Sequence, residues 1–548
     1  MAFAHTVGAQ GLAGTVRDSV SRLPVPGVVV ILLDSAGGTV ARNLTNERGE
    51  YRVAFPGEAR GARFVRIGFT PREVPVPPRA EANARFDVSM FALPSMIQPV
   101  HVVASSRCRP RKDRADALGL WEQVRAGLLA TIVAREENPA RMRRLGFDRV
   151  MDGNSDRIDM MRVWADSADT AVSSFVAAHA AKDFVRLGFT TDTLASGTNF
   201  GGAYFGPDAD VLLDDQFAGA YCFELADGGR VRRTEVGLRF LPADHKRGRV
   251  DIDGTLWIDT LARELRDVEF RYLNVAAGAV KFRPGGYVSF RSMKNGVVLI
   301  DRWSIRLVSA ARDTTLETDG RLRPRDWLFA EEDGGELARA SWPDGLTWTA
   351  PLGALRLHAI TKDGRPAVGA VIGLVATQYY GTVGADGVLE IRDLLPGPYA
   401  VRVIDPRIAA LGIGLPTPLK FRAVRDTTTV ATVVVPTTES SIVERCIANH
   451  QWRAGDSVFT IGRVVTPGGK PLSGARITFA TRSERGQWQW EDAHFTTGAD
   501  GLFQFCHMFE PGTEILFRVA RGGAVAAEVS GKFTSSLLVV RIPVPPLP

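Results

Sequence analysis

The chain has 548 residues, of which 45% are hydrophobic and 23% are charged, and its formal net charge is +6. This is the composition of folded protein divided into about three to five domains, so a wholly disordered, collagenous or coiled-coil chain is excluded. The sequence has no run of 18 apolar residues and therefore predicts no membrane-spanning helix.

The basic residues do not indicate a nucleic-acid partner. Only nine of the 67 basic residues are Lys, and the Arg residues are spread through every region, often near Asp or Glu. A nucleic-acid-binding surface would concentrate them on one face or one helix. We therefore expect no nucleic acid among the partners.

Residues 1–10, MAFAHTVGAQ, have neither the basic start nor the apolar centre of a signal peptide. We interpret them as the remnant of a leader, or as a start site placed too far downstream. Cytoplasmic residence is the third alternative.

One pattern occurs three times along the chain. A Pro-x-x-Gly turn precedes a β-rich run, a Gly turn precedes an aromatic or aliphatic residue, and a Pro-Gly pair closes each copy. Proline and glycine set the backbone angles of such turns, and Asp-Gly predicts type I′ hairpins. In the first copy the three features lie at residues 24–27, 49 and 56–57. In the second copy they lie at residues 366–369, 387 and 396–397, and in the third at residues 471–474, 501 and 511–512.

Short strands at this spacing predict small antiparallel β-sandwiches. The three ordered features resemble the carboxypeptidase regulatory-like domain, a transthyretin-like sandwich of the carbohydrate-binding-like fold. The resemblance covers the segments 11–99, 351–438 and 439–548. It implies a fold and leaves activity open, because sandwiches host many functions.

The segment after the first sandwich predicts a strand over residues 96–104, with Pro99 at a sheet edge, and then a helix. Apolar residues recur at helical spacing through residues 113–137, so this helix is amphipathic and is expected to pack across a sheet. The residues that define its apolar stripe are Leu118, Trp121, Val124, Leu128 and Ile132.

Residues 140–311 return to strand-like patterns. Val268, Phe270 and Tyr272 alternate with charged residues, and residues 254–259 form the partner of this strand. Further strands are predicted at residues 287–290 and 297–307, and one short helix at residues 175–187. The pattern predicts a curved antiparallel sheet with a helix against it.

The predicted fold class is mostly β: three small antiparallel β-sandwiches and a central antiparallel sheet-and-helix domain. After the leader remnant at 1–10 come a sandwich at 11–99, the helix and sheet at 100–350, and sandwiches at 351–438 and 439–548. The boundaries fall near Val100, Pro351 and Thr438, with a linker around Ser440.

This order of domains looks like bacterial envelope proteins, some of which join a similar sandwich to a TonB-dependent receptor. The chain lacks the long series of amphipathic strands of such a receptor, so transport is not implied.

The four cysteines, Cys108, Cys222, Cys446 and Cys506, form no CxxC pair. Zinc ribbons and thioredoxin motifs are therefore excluded, and a sparse even set suits disulfides in an oxidising compartment. We predict Cys108–Cys222, which joins the start of the helix to the sheet it covers, and Cys446–Cys506 within the third sandwich. Four buried thiols are the alternative.

Candidate metal sites are weak. His507 and Glu510 match His-x-x-Glu, but an odd separation places them on opposite faces of a strand, so we predict no zinc site. Residues 152–156 begin like a calcium loop, yet Arg157 stands where Gly is required and Val163 where Glu is required. A plain turn between strands is predicted there.

An acidic cluster lies at residues 208–215, next to residues 204–207. It could hold a cation, but a solvated loop with helix caps is the favoured interpretation. Its members are Asp208, Asp210, Asp214 and Asp215.

No motif of a catalytic nucleophile, phosphate loop or dinucleotide fold is present. Cys222 lies in an apolar strand context, where a reactive thiol is not expected. We therefore predict no catalytic residue, no metal ligand and no cofactor, and expect that the protein is not an enzyme. A middle-domain enzyme of unknown class is the competing hypothesis.

Trp488 and Trp490 are the candidate binding residues. They lie two apart on a predicted strand with Gln and Glu around them, so both indoles share one face and could stack on sugar rings. The alternative is that they fill the sandwich core, since each indole buries a large apolar area. Tyr379 and Tyr380 should point to opposite faces, so at most one is on the surface.

The first hypothesis is a non-catalytic binding protein that is periplasmic, outer-membrane-associated or secreted, with polysaccharide as the first ligand to test. The alternative is a scaffold or accessory factor that binds an envelope protein of a TonB-dependent system. An exposed Trp pair favours the first, and a large apolar patch on the middle sheet favours the second.

Overall fold

The computed structural model describes residues 11–76, 85–94, 108, 114–152, 157–166, 175–191, 203–244, 248–316, 322–362, 364–404, 418–436, 459–484, 486–499, 501–506, 512–532 and 537–545. The chain divides into two compact units, Met1–Leu352 and Gly353–Pro548. The division falls beside the boundary predicted at Pro351, whereas Val100 and Thr438 lie outside the described residues. The architecture is mostly β with few helices, as the sequence predicts.

The described residues of the first sandwich form seven short strands in two sheets. They are β1 (Gly11–Asp18), β2 (Val29–Leu33), β3 (Thr39–Leu44), β4 (Glu50–Ala54), β5 (Gly61–Val65), β6 (Arg72–Pro75) and β7 (Val88–Met90). One sheet has the order β4-β1-β7 and the other the order β3-β2-β5-β6. Leu12, Val16 and Phe64 are fully buried between the sheets, where alternating side chains of both inner faces meet.

The pairing of β1 with β7 is parallel, whereas the other pairs of this sandwich are antiparallel. The predicted antiparallel sandwich is confirmed, and the sequence gives no indication of this one parallel pair. Parallel neighbours cannot be joined by a tight hairpin and need a long connection. Here the rest of the domain lies between them.

The region after the first sandwich begins with helix α1 (Arg114–Glu137), close to the predicted residues 113–137. Ten strands of the described chain then form one antiparallel sheet, in the order β10-β11-β12-β13-β14-β15-β16-β8-β9 with β17 beside β16. Their bounds are β8 (Arg141–Met151), β9 (Ile158–Asp166), β10 (Tyr221–Asp227), β11 (Glu235–Pro242), β12 (Asp251–Asp259), β13 (Glu264–Leu273), β14 (Gly285–Ser292), β15 (Val298–Leu316), β16 (Leu322–Ser341) and β17 (Thr347–Thr349).

The predicted alternation on β13 is confirmed, because Val268, Phe270 and Tyr272 are all buried. The segment between β9 and β10 carries α2 (Ala181–Leu187), α3 (Ala209–Leu213) and α4 (Asp215–Ala220), and a 3-10 helix spans Ala277–Phe282. The helix predicted over residues 175–187 begins only at Ala181. The predicted strand at 96–104 lies outside the described residues.

Helix α1 is buried on more than one side. Its residues Leu120, Val124 and Leu128 are fully buried in a core that contains Val29 of β2 as well as the inner face of the long sheet. Trp121 stacks on Phe223 of β10 with ring centres 4.7 Å apart. The helix therefore lies between the first sandwich and the ten-stranded sheet, and the first unit has a core shared by both.

The second and third sandwiches repeat the first strand by strand. The second contains β18 (Gly353–Ile360), β19 (Val371–Leu374), β20 (Tyr380–Thr382), β21 (Val388–Leu394), β22 (Gly397–Val403), β23 (Leu419–Ala423) and β24 (Thr428–Val434). The third contains β25 (Phe459–Val465), β26 (Arg476–Arg482), β27 (Trp488–Thr496), β28 (Leu502–Cys506), β29 (Glu514–Arg521), β30 (Ala524–Lys532) and β31 (Leu537–Pro543).

Their sheet orders are β21-β18-β24 with β20-β19-β22-β23, and β28-β25-β31 with β27-β26-β29-β30. In each sandwich the first strand pairs antiparallel with the fourth and parallel with the seventh. The threefold sequence pattern is thus a threefold structural repeat.

The Pro-x-x-Gly turn carries the chain from one sheet to the other in every copy, between the first and second strands. Gly27, Gly369 and Gly474 have φ angles of 70°, 75° and 73°. Such angles are strained for residues with a Cβ and open to glycine. The glycine in the pattern is therefore required by the backbone.

The second Gly turn differs from the prediction. Gly49, Gly387 and Gly501 have φ angles of 69°, 76° and 71° and close three-residue loops, rather than the two-residue type I′ turns expected. The strands on either side belong to different sheets, so each turn is a crossover and not a hairpin. A local turn signal does not reveal which strand will pair with which.

Candidate functional site

The tryptophan pair lies on the outer face of the third sandwich. Trp488 begins β27, an edge strand, and Trp490 lies opposite Ala480 of β26. The core-facing residues of β26 are Ile477 and Phe479, and neither tryptophan belongs to the cluster they form. Trp490 is 40% exposed and Trp488 is half-buried. The structure thus places the pair outside the sandwich core.

A β-bulge follows Trp490 directly. On β26, Thr478 and Ala480 are two positions apart, but their partners on β27, His494 and Trp490, are four positions apart. Extra residues in one strand bend an edge and redirect its side chains. The bulge therefore sets the aromatic end of β27 apart from the remainder of the strand.

Each indole has an arginine against its ring. The guanidinium carbon of Arg518 on β29 is 3.7 Å from the ring centre of Trp490, and that of Arg482 is 5.8 Å from the ring centre of Trp488. Guanidinium groups are attracted to the negative face of an aromatic ring. The arginines therefore hold the indoles in defined positions on the sheet.

Two glutamates complete this surface. Glu528 Oε1 accepts a hydrogen bond from Arg518 Nε at 2.5 Å, and Glu514 Oε2 lies 2.9 Å from a terminal nitrogen of Arg482. We call these six side chains the tryptophan face: Trp488, Trp490, Arg482, Arg518, Glu514 and Glu528. It combines flat apolar rings with charged donors and acceptors at their edges.

The second sandwich exposes an aromatic residue from its corresponding strand. Tyr380 on β20 is 73% exposed, whereas Tyr379 donates its hydroxyl to the Asp393 carbonyl at 2.7 Å and is half-buried. The two tyrosines differ in exposure, as the sequence predicts. Tyr380 provides an exposed aromatic side chain away from the tryptophan face.

Cys108 and Cys222 form a disulfide with a Cα–Cα distance of 5.7 Å, within the usual range for this bond. It joins the segment before α1 to β10, as the sequence predicts, and leaves no thiol at Cys222. Cys506 ends β28, and Cys446 lies outside the described residues, so the second pairing stays a prediction.

The acidic cluster caps helices. Asp208 accepts from the Val211 amide at 2.9 Å at the start of α3, and Asp214 accepts from the Gln216 amide at 2.8 Å at the start of α4. Asp210 forms a bidentate pair with Arg135 of α1 at 2.8 and 3.2 Å. The capping prediction is confirmed, but Asp208 is buried rather than solvated.

The other candidate metal motifs have no described ligand set. Asp152 pairs with Arg157 at 3.2 Å beside the connection between β8 and β9, and residues 153–156 lie outside the described residues. His507 and Glu510 lie outside them as well. Within the described residues, no group of three or more His, Cys, Asp and Glu side chains is arranged to hold a metal ion.

The sheet face on β11–β13 carries ion pairs that the sequence did not single out. Asp253 is paired with Arg239 at 2.8 Å and with Arg271 at 2.6 Å. Although burial raises the pKa of Asp253, hydrogen bonds from the two arginines hold it below its usual value. Arg232 pairs with Asp267 at 3.0 Å. The alternation of charged residues along neighbouring strands was the sequence pattern that could have indicated these ion pairs.

The helices of the described structure include none that is both long and apolar enough to cross a membrane.

Comparison with known proteins gives no family assignment. No family model matches the chain, and no curated protein matches it. The chain is similar to solved structures at low sequence identity and low TM-score. They include the Bacillus anthracis TIE protein, at 12% identity and TM-score 0.17, covering 63% of this chain and 63% of that one.

Two pilins are also similar. A streptococcal ancillary pilin has 14% identity and TM-score 0.18, covering 48% of this chain and 81% of that one. The shaft pilin SpaA from Lactobacillus rhamnosus GG has 12% identity and TM-score 0.15, covering 36% of this chain and 99% of that one. This chain spans 63% of the length of the TIE protein. Likeness at these TM-scores does not extend to function.

Proposed function

We propose that the chain is an exported, non-enzymatic binding protein of the cell envelope whose third sandwich binds a glycan through the tryptophan face. The observation that carries this proposal is the position of Trp488 and Trp490 on the outer face of an edge strand, with Trp490 40% exposed. Large aromatic side chains usually lie in a core. Their placement outside the core favours a binding role.

The chemistry of the face suits a sugar chain. An indole offers a flat apolar surface to the C–H face of a pyranose ring, and adjacent charged groups can exchange hydrogen bonds with hydroxyls. Residues two apart on a strand are separated by about 6.6–7 Å. That spacing matches contacts to neighbouring parts of one oligosaccharide rather than to a single ring.

The disulfide supports export. Disulfides persist in oxidising compartments such as the periplasm or the cell exterior and are rare in the cytosol. Cys108–Cys222 closes a sequence separation of 114 residues. We infer a periplasmic, outer-membrane-associated or secreted location.

The alternative, a scaffold or accessory factor for a TonB-dependent system, would favour an apolar patch on the middle sheet. The outward side chains on β13 are instead Asp267, Glu269 and Arg271, which are joined to neighbours by ion pairs. This part of the sheet is charged, and charged residues are depleted at the centre of stable protein interfaces. The observations therefore favour the glycan.

The proposal is tested by affinity electrophoresis of the full chain against a panel of bacterial and plant polysaccharides. We expect retention on at least one of them. The double variant Trp488→Ala, Trp490→Ala should lower affinity at least about tenfold, which is about 1.4 kcal/mol. Its melting temperature should stay near that of the wild type, because neither indole lies in the core.

Three variants serve as controls. Tyr380→Ala removes an exposed aromatic residue from another sandwich and should leave retention unchanged. Trp490→Phe should retain part of the affinity, since it preserves a stacking ring. Phe517→Ala removes a fully buried core ring and should destabilise by about 3–5 kcal/mol. Unfolding of the tryptophan variant to a similar extent, or no retention of the wild type on any polysaccharide, would refute the proposal.

A further inference from the structure

A cavity of about 280 Å³ lies within the first unit, where three structural elements meet. It is bounded by the segment after β5 of the first sandwich, by α1, and by the turns that join β12 to β13 and β14 to β15. Small-molecule sites occur preferentially at such junctions, and typical ones measure about 300–1,000 Å³. The cavity lies just below this range, so its size suits only a small ligand.

The wall of this cavity is basic. Arg66, Arg263 and Lys294 line it, against a single carboxylate, that of Glu264. None of these three cations has a carboxylate oxygen within 4.0 Å among the described residues. Elsewhere in the same unit, partly buried arginines are paired, as Arg239 is with Asp253. The cavity thus gathers three cations against one carboxylate.

Arg66 is the most sequestered of the three. Burial lowers the pKa of its guanidinium, the attraction of Glu264 partly offsets this, and the charge of Arg263 lowers the pKa further. Two like charges held together away from bulk water are costly unless an anion compensates them. Glu264 can compensate only one of these charges, so an anion in the cavity would relieve the remaining cost.

Both guanidinium groups are held in place by contacts with neighbouring groups of the protein. Arg66 donates from Nε to the Pro26 carbonyl at 2.7 Å. The guanidinium carbons of Arg66 and Arg263 each lie 5.4 Å from the ring centre of buried Phe69. One aromatic ring therefore positions two cations that come from separate parts of the chain.

Arg263 has a strained backbone. Its φ angle is 56°, in the left-handed region that non-glycine residues rarely adopt. Its side chain packs on Gly68, where a Cβ would lie 2.3 Å from Arg263 Cδ. The Gly68 amide in turn donates to Gln123 Oε1 of α1 at 2.8 Å. Strain of this kind persists where the surroundings impose it, and it is common at binding sites.

The remaining wall is apolar. Ile67, Leu265 and Val298 contribute to it, and Gly127 of α1 lets the helix approach closely. Ligand sites usually combine such a surface with a few well-placed polar groups. The cavity has one charged side and one apolar side.

We propose that this cavity binds a small amphiphilic anion, with its carboxylate or phosphate group between Arg66 and Arg263 and its apolar part against Ile67, Leu265 and Val298. Arginine pairs recognise both head groups through paired N–H donors. This site is independent of the tryptophan face, which lies in the other unit.

The test is isothermal titration of the full chain with octanoate, octyl phosphate, inorganic phosphate and the neutral detergent octyl glucoside below its micelle concentration. We expect one-to-one binding of octanoate or octyl phosphate, weaker binding of inorganic phosphate and no binding of octyl glucoside. Binding of inorganic phosphate as tight as that of octyl phosphate would overturn the apolar half of the proposal. Equal binding of octyl glucoside would overturn the anionic half.

Arg66→Gln and Arg263→Gln should each weaken octanoate binding at least about tenfold, and binding should also weaken as salt rises. Lys294→Gln, at an exposed turn position, should weaken octanoate binding less than the arginine variants do. It also tests the role of positive charge in the cavity if the arginine variants fail to fold. Arg162→Gln, an arginine of β9 that does not line the cavity, is the matched control. No binding of any probe, or binding unchanged in the Arg66, Arg263 and Lys294 variants, refutes the site.

Discussion

Thr45 and Thr497 make the same pair of hydrogen bonds in two different sandwiches. Thr45 Oγ1 donates to the Val25 carbonyl at 2.8 Å and accepts from the Val28 amide at 2.9 Å. Thr497 makes the equivalent pair at 2.7 and 2.9 Å. In the second sandwich Val383 replaces the threonine, although the backbone hydrogen bonds of the turn are kept. The hydroxyl therefore fastens the Pro-x-x-Gly turn in two of three copies.

Thr45→Val should destabilise the first sandwich by about 1–3 kcal/mol, because the buried Val28 amide and Val25 carbonyl each lose a partner. We expect faster hydrogen exchange at the Val28 amide and a lower urea midpoint. Thr45→Ser keeps the hydroxyl and is the control, so it should lose clearly less stability. Equal losses in the two variants would show that the hydroxyl contributes no more than the methyl group that Thr45→Ser removes.

The repeat was predictable because proline and glycine act on their own backbone angles. Gly27, Gly49 and their counterparts all adopt φ angles between 69° and 76°, so three copies of one turn leave three copies of one sequence pattern. Helix α1 and strand β13 were also predictable, since burial along them follows helical and alternating periods. These signals are local in sequence.

Features that depend on distant residues were not predictable. Spacing of two places Trp488 and Trp490 on one face but does not say whether that face is inside or outside. No local sequence pattern indicates that the first and last strands of a sandwich pair in parallel. None indicates the crossover at Gly49 either. The long hairpin of β15 and β16 extends well beyond the predicted strand, and the cavity pairs Arg66 with Arg263 from separate elements.

Removal of the Cys108–Cys222 disulfide should lower the stability of the first unit by about 2–4 kcal/mol, because the bond restricts a long loop in the unfolded chain. The double variant to Ser avoids an unpaired thiol, and urea unfolding measures the loss. A reducing agent should reproduce the loss in the wild type.

The predicted Cys446–Cys506 bond is tested in the same material. Non-reducing peptide mapping should recover both linked pairs from the wild type and only the second from the double Ser variant. Alkylation of Cys446 or Cys506 without prior reduction would contradict the second pair. Identical urea midpoints for wild type and variant would contradict the stabilising role of the first.

Asp333→Asn should change how stability depends on pH. Asp333 on β16 faces Asp148 on β8, and partial desolvation, with the charges of Asp148 and Glu331, raises the pKa of Asp333 to about 6. An unfolded Asp titrates near 3.9, so the folded state holds an extra proton between these values. The stabilising contribution is present in full below about pH 4 and is lost as pH rises through about 6.

Urea midpoints of the wild type and Asp333→Asn should be compared between pH 4 and 8. The variant should show a smaller decline over this range and a higher midpoint at pH 8. Asp148→Asn should act in the same direction but less, since Asp148 also lies 3.7 Å from Arg162. If the urea midpoints of all three proteins changed in parallel with pH, the carboxyl pair would not contribute to the pH dependence of stability.

Gly296→Ala should destabilise the first unit more than Gly345→Ala, although both glycines have left-handed φ angles, 82° and 88°. In either turn an alanine costs about 1–2 kcal/mol for that backbone conformation. At Gly296 the added Cβ would also lie 2.3 Å from the Thr45 carbonyl oxygen and 2.5 Å from the Gly27 amide nitrogen. At Gly345 no described atom lies within 4 Å of the added carbon.

The contact between Gly296 and Gly27 thus joins the β14–β15 turn to the Pro-x-x-Gly turn of the first sandwich, with no room for a side chain between them. Urea unfolding of the two alanine variants measures the difference directly, because the strain of the backbone is common to both. Gly369→Ala, in the equivalent turn of the second sandwich, meets no described atom within 4 Å and supplies a second strain-only control. Equal losses at Gly296 and Gly345 would mean that the two turns move apart without cost, and the close packing between them would then contribute nothing to the stability of the first unit.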